Sequence, residues 1–186
     1  MVTELGLILG PALLAASWQG GLAKLFSFGT LRGRDVLPLI GFGAGLFVAS
    51  VMSGALAIGL LRACGIQLPS ANPLGHLLGN RSGLEIAAAY FIAVGLAPLC
   101  EEALFRGLLQ PALEKVIPRG TAIGVTAVAF GVFHLSPSRF VPTAVMALGA
   151  GAMRAKYQSV WAGIVVHATI NALGVSLALL VAKLRG

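Results

Sequence analysis

The chain has 186 residues, of which 58% are hydrophobic and 10% charged, with a mean hydropathy of +0.93 and a formal net charge of +7. Soluble domains carry about 25% charged and 45–50% apolar residues, so this composition excludes an ordinary water-soluble globule and indicates an all-α membrane protein, a polytopic transmembrane bundle of about six membrane-embedded helices. The basic residues, among them Lys24, Arg34, Arg62, Arg81, Lys115, Arg119, Arg139 and Arg154, stand at the ends of apolar runs, which is the pattern of interfacial anchors and not of a nucleic-acid surface.

An apolar segment over 5–28, interrupted by Gly10-Pro11 and Gly20-Gly21, is expected to be a kinked span or an interfacial helix. Glu4 in place of a basic leader argues against a cleaved signal peptide. A basic turn over 29–35 leads to a span over 36–61, where Gly41 and Gly45 have the spacing of close helix contact. Residues 62–83 are rich in Pro, Gly and Asn and read as a loop, with His76 an interfacial or solvated side chain. A third helix runs from 84 through Glu101 and Glu102 towards 116. Within it Pro98 removes a backbone N–H and is expected to kink the helix beside the carboxylates. A fourth helix over 121–135 ends in Phe130-Gly131-Val132-Phe133-His134, followed by a short loop over 136–140. Residues 141–155 form a small-residue helix with Gly149 and Gly151 available for tight packing, and 160–181 form the last helix, carrying His167 and Asn171. The chain thus divides into N-terminal spans and a loop over 1–83 and a core over 84–182. Cys64 and Cys100 lack metal-type spacing, and Cys100 reads as a small buried hydrophobe.

Glu101, Glu102 and Arg106 fall within six positions of an apolar helix. A charge at the bilayer centre costs about 2.5–3.5 kcal/mol on insertion scales, so three of them require pairing or a chemical purpose. Glu102 and Arg106 are four apart and share a helix face, which pairs them and leaves Glu101 as the free carboxylate. The structural alternative is a helix end whose three side chains reach to the interface. Phe130 and His134, and likewise His167 and Asn171, also share faces by the four-residue spacing. A carboxylate, two histidines and an asparagine on three helices contain the groups needed to activate water and stabilise an oxyanion. Other peptidase chemistries fail on the residues themselves. None of His76, His134 and His167 is followed by Glu as HExxH demands, Asp35 is the only Asp, and Ser53-Gly54 has Val51 where GxSG needs glycine.

The succession EExxxR at Glu101–Arg106, FxxxH at Phe130–His134 and HxxxN at His167–Asn171 resembles the CPBP (Abi) family, which includes CAAX prenyl proteases and bacteriocin-processing or bacteriocin-immunity proteins. The resemblance covers about 84–181 and implies an intramembrane endopeptidase. In it Glu101 would activate water, His134 would help to hold that water, and His167 and Asn171 would stabilise the tetrahedral oxyanion. Glu102 and Arg106 would maintain the site geometry and Phe130 would line the pocket. Metal dependence stays open: a zinc held by Glu101, His134 and His167 stands beside a metal-free glutamate mechanism, which is preferred because no spacing enforces metal geometry. The alternative function is a non-catalytic membrane protein of the same fold, acting in bacteriocin immunity or partner binding. A proton-relay transporter has no inverted repeat in its favour. The expected partners are the lipid bilayer and a peptide or protein substrate at the membrane, with no nucleic acid. The expected location is the cell membrane, as a multi-pass protein similar to compact prokaryotic members.

Overall fold

A computed structural model describes residues 29–66 and 82–185, and these form five helices with no strand among them. In chain order they are α1 (Gly33–Ala63), α2 (Gly83–Leu113), α3 (Arg119–Phe133), α4 (Pro137–Tyr157) and α5 (Val160–Arg185). The predicted segment over 5–28 and His76 lie outside the described residues. Helices α1, α2 and α5 are long and apolar enough to cross a membrane, and α1 turns Leu37, Ile40, Val48, Met52, Leu56 and Leu60 outward, as a lipid-facing surface requires.

Helix α2 begins with a capping box. The Ser82 hydroxyl accepts the Glu85 N–H, and the Glu85 carboxylate accepts the Ser82 N–H at 2.9 Å. The helix then departs twice from α geometry, in π turns over Phe91–Leu96 and Ala103–Leu109. Each lies just upstream of a proline, Pro98 and Pro111 respectively. Proline has no N–H to give, and its ring collides with the carbonyl four residues earlier. Widening the preceding turn relieves that collision, and the backbone bonds shift accordingly: Ala97 N–H donates to Ile92 O and Gln110 N–H to Phe105 O. The disruption expected at Pro98 therefore takes the form of a wider turn. The short α segment Ala97–Glu102, which carries both glutamates, is held between the two.

The stretch 136–140, expected to be a loop, is instead mostly helical, since α4 starts at Pro137 and runs for 21 residues. Pro137 occupies the first turn, where its missing N–H has no intrahelical partner to lose. Helix α4 packs against α1, α3 and α5, while α5 also packs on α1 and α2. Leu39, Phe105, Phe130, Met146, Ala147 and Val166 meet in the core. The α2–α4 contact is a series of polar bonds along α2. Arg106 Nη2 donates to Ala147 O at 2.8 Å, Gln110 Nε2 to Gly151 O at 3.3 Å, and Arg154 Nη1 to Glu114 Oε2 at 2.9 Å. On the other half of α2, Tyr90 OH donates to Ala172 O of α5 at 3.4 Å and lies 3.1 Å from Ser176 Oγ.

Gly149 and Gly151 do serve tight packing, against Leu46 and against Gln110 and Ile123. On α1, by contrast, Gly41 and Gly45 face open space, and the close approach is made by Gly43, where a Cβ would come within 3.0 Å of Thr169 Cβ and 3.1 Å of Val166 O. The Gly41–Gly45 pair lies on the outer face because glycine at i and i+4 reports a shared face but not which face is inward. Gly43→Val is expected to destabilise the detergent-solubilised protein by about 1–3 kcal/mol through overpacking, whereas Gly41→Val should change it by less than about 0.5 kcal/mol. Parallel thermal melts check this, and equal shifts would show that α1 does not meet α5 at Gly43.

Candidate functional site

The site is built where α2, α3 and α5 converge. Glu102 and Arg106, four residues apart on α2, form an ion pair at 2.9 Å, and both side chains are 0% exposed. The same carboxylate oxygen, Glu102 Oε1, lies 3.0 Å from His167 Nδ1 on α5. An ionised carboxylate has no proton to give, so His167 Nδ1 carries the hydrogen and donates it. This fixes the imidazole plane and leaves Nε2 as the free ring nitrogen. Arg106 gives its other terminal nitrogen to the Ala147 carbonyl of α4, so one guanidinium ties the site to a neighbouring helix.

Phe130 of α3 covers this network. Fully buried, it lies 4.9 Å from the Arg106 guanidinium, 5.7 Å from the His167 ring and 4.8 Å from the His134 ring. The negative face of an aromatic ring attracts a cation at that distance, which supplements the Glu102 pairing of a guanidinium with no exposed surface. Phe130 also sets His134. At the end of α3, His134 Nδ1 lies 2.9 Å from the Phe130 carbonyl, an acceptor only, so this nitrogen is the donor and Nε2 is again left free. The turn that follows places Leu135 at φ 47°, in the left-handed region. That conformation is costly for a non-glycine residue and recurs at functional sites.

Glu101 stands apart from the pair, as the four-residue spacing predicts. It is 15% exposed, and its Oε2 lies 3.8 Å from His167 Nε2. That distance is too long for a hydrogen bond, and Glu101 Oε2 has no hydrogen-bond partner among the described residues. His134 and His167 are both close enough to act on the Glu101 charge. Asn171, one turn after His167, directs Nδ2 to the Ala93 carbonyl of α2 at 2.7 Å. The predicted residues Glu101, Glu102, Arg106, Phe130, His134 and His167 are thus gathered at one place, with Asn171 on its α2–α5 flank. Among the described residues no three His, Cys, Asp or Glu side chains are arranged to hold a metal ion, while the Nδ1 bonds of both histidines are of the kind that accompany a metal on Nε2. Cys100 is a free, half-buried thiol.

One residue of the site escaped the motif reading. Gly163 of α5 lies against the Glu102 carboxylate, and a Cβ there would meet Glu102 Oε2 at 2.5 Å. It lies one turn before His167, on the face shared by His167 and Asn171, so helical spacing was the available signal.

Residues 83–173 match the family model described as Rce1-like, type II CAAX prenyl endopeptidase Rce1-like. The match runs from the first residue of α2 to two residues past Asn171. No curated protein and no solved structure matches the chain.

Removing one partner of a buried ion pair leaves the other charge uncompensated, so Arg106→Ala is expected to destabilise the protein by about 3–5 kcal/mol. Arg106→Met combined with Glu102→Gln should recover a large part of that loss in thermal melts. A double variant no more stable than Arg106→Ala would mean that the stranded charge is not the cause. Gly163→Ala should cost about 1–3 kcal/mol by overpacking, with the His167 ring displaced. The pH dependence of its NMR resonances is the readout, and a spectrum unchanged from wild type would place Glu102 away from Gly163.

Proposed function

We propose, from the match of residues 83–173 to the Rce1-like family model of type II CAAX prenyl endopeptidases, that the chain is an intramembrane endopeptidase that hydrolyses a peptide bond in a membrane-proximal peptide or protein. The observation that carries the mechanism is the separation of the two adjacent glutamates. Glu102 holds Arg106 and His167 through Oε1, with its unpartnered Oε2 enclosed against Gly163, while Glu101 makes no such bond and turns its unpartnered Oε2 to His167 Nε2 across 3.8 Å.

In the proposed reaction a water molecule gives one O–H bond to Glu101 and the other to the free Nε2 of His134. Both are acceptors, so the lone pair of the water oxygen is directed towards the substrate carbonyl. Glu101 takes the proton as the water oxygen bonds to the carbonyl carbon, and the carbonyl π electrons move onto oxygen. The resulting oxyanion is stabilised by the second N–H of the Asn171 amide and by His167 in its doubly protonated form, in which Nδ1–H bonds Glu102 and Nε2–H faces the oxyanion. Collapse of the intermediate breaks the C–N bond, and the proton held by Glu101 passes to the leaving amine. Glu102 and Arg106 hold the His167 ring, and Phe130 holds His134 through its carbonyl. No step of this reaction draws on a metal.

Glu101→Gln is expected to lower the turnover of a quenched membrane-peptide library by about 10²–10⁴-fold, the range for loss of a general base, with the melting temperature unchanged. Cleavage by wild type should persist in a zinc chelator. Cleavage abolished by chelator and restored by zinc would assign Glu101, His134 and His167 to a metal instead. Full turnover by Glu101→Gln would remove Glu101 from the chemistry.

A further inference from the structure

Asn171 bonds to a backbone carbonyl that a proline has deprived of its donor. In an α-helix the Ala93 carbonyl would accept from Ala97 N–H, but the π turn commits that N–H to Ile92 O. In the wider turn the next donor in register is residue 98, which is Pro98 and has none. A carbonyl left unpaired away from water is costly, and Asn171 Nδ2 fills the position at 2.7 Å. Since the Ala93 oxygen can only accept, the amide must turn its NH₂ group, and not its oxygen, towards α2. One hydrogen of that group is then fixed on Ala93, and the planar geometry of the amide fixes the direction of the other.

We infer that Pro98 is a positioning residue for Asn171: by withholding an N–H it leaves the Ala93 carbonyl free to orient the Asn171 amide, and so couples the α2 backbone just before Glu101 to the polar face of α5. The kinetic part of this inference rests on the peptidase reading, while the structural part does not. Replacing Pro98 by a residue with an N–H supplies the missing donor, lets α2 satisfy Ala93 itself, and releases the amide. Alanine, a strong helix former, makes this change with little risk to the fold.

The experiment compares wild type, Pro98→Ala, Asn171→Ala and the double variant by amide hydrogen exchange over 91–97 and by peptide cleavage. With Pro98 present, Asn171→Ala should raise exchange in 91–97 about tenfold, the factor that one hydrogen bond of ordinary strength represents. In the Pro98→Ala background it should raise exchange less than about twofold. In cleavage, Pro98→Ala should lower kcat several-fold with KM nearly unchanged, and Asn171→Ala should cost less on top of Pro98→Ala than in wild type. An equal exchange effect of Asn171→Ala in both backgrounds, or none in either, overturns the inference. Equal kcat losses in both backgrounds overturn the positioning of the amide. A wild type that cleaves nothing would sink the peptidase reading alone, and the exchange comparison would still decide the coupling.

Discussion

The constraint on which this structure turns is the burial of a Glu–Arg–His cluster in the middle of an apolar bundle. Glu102 and Arg106 have no exposed side-chain surface, and in such a medium an isolated charge is far too costly to keep. Each surrounding element answers some part of that cost. His167 shares the carboxylate, Ala147 offers its carbonyl to the guanidinium, Phe130 lies over the cation, and Gly163 leaves room for the second carboxylate oxygen. The helices that supply these groups, α3, α4 and α5, are therefore oriented by the charges of α2 as much as by apolar packing, which gives little association energy between helices in lipid. Because Glu102 satisfies this cluster, its neighbour Glu101 remains uncommitted, and two adjacent residues of the same type acquire different chemical characters.

The backbone of α2 is shaped by a second requirement. Every peptide group at membrane depth needs a partner, and two prolines in one long helix remove donors. The π turns before Pro98 and Pro111 redistribute the hydrogen bonds, and such turns recur at functional sites because they bring side chains and carbonyls out of α register. Here they frame the six residues Ala97–Glu102. The irregularity of the helix and the placement of its carboxylates have one origin in the sequence.

Much of this was legible beforehand. Helical spacing alone paired Glu102 with Arg106 and set Glu101 apart, because i and i+4 contacts are properties of a single helix. The motifs on α3 and α5 identified residues that do converge. Contacts between helices were harder to read. Gly163 is one of 25 glycines, and only the fold shows that it abuts a carboxylate. Gly41 and Gly45 carried a packing signal that Gly43 fulfils. The early start of α4 was hidden by Pro137, since proline marks the beginning of a helix as readily as a loop. The bond from Asn171 to Ala93 was the least visible, because it depends on a carbonyl that becomes free only when a π turn and a proline coincide.

The location of the ion pair within one helix bears on how the protein is made. Glu102 and Arg106 bond to each other without help from any other segment, so α2 can enter the bilayer with these two charges already paired as soon as it is synthesised, avoiding much of the penalty that scales of membrane insertion assign to single charges. His167, 65 residues later, arrives after α3 and α4. The cluster is thus completed in a set order during biogenesis, first neutralised in place and then joined by the imidazole, so the emerging chain need not hold Glu102 or Arg106 unpaired in lipid while it waits for its last helix.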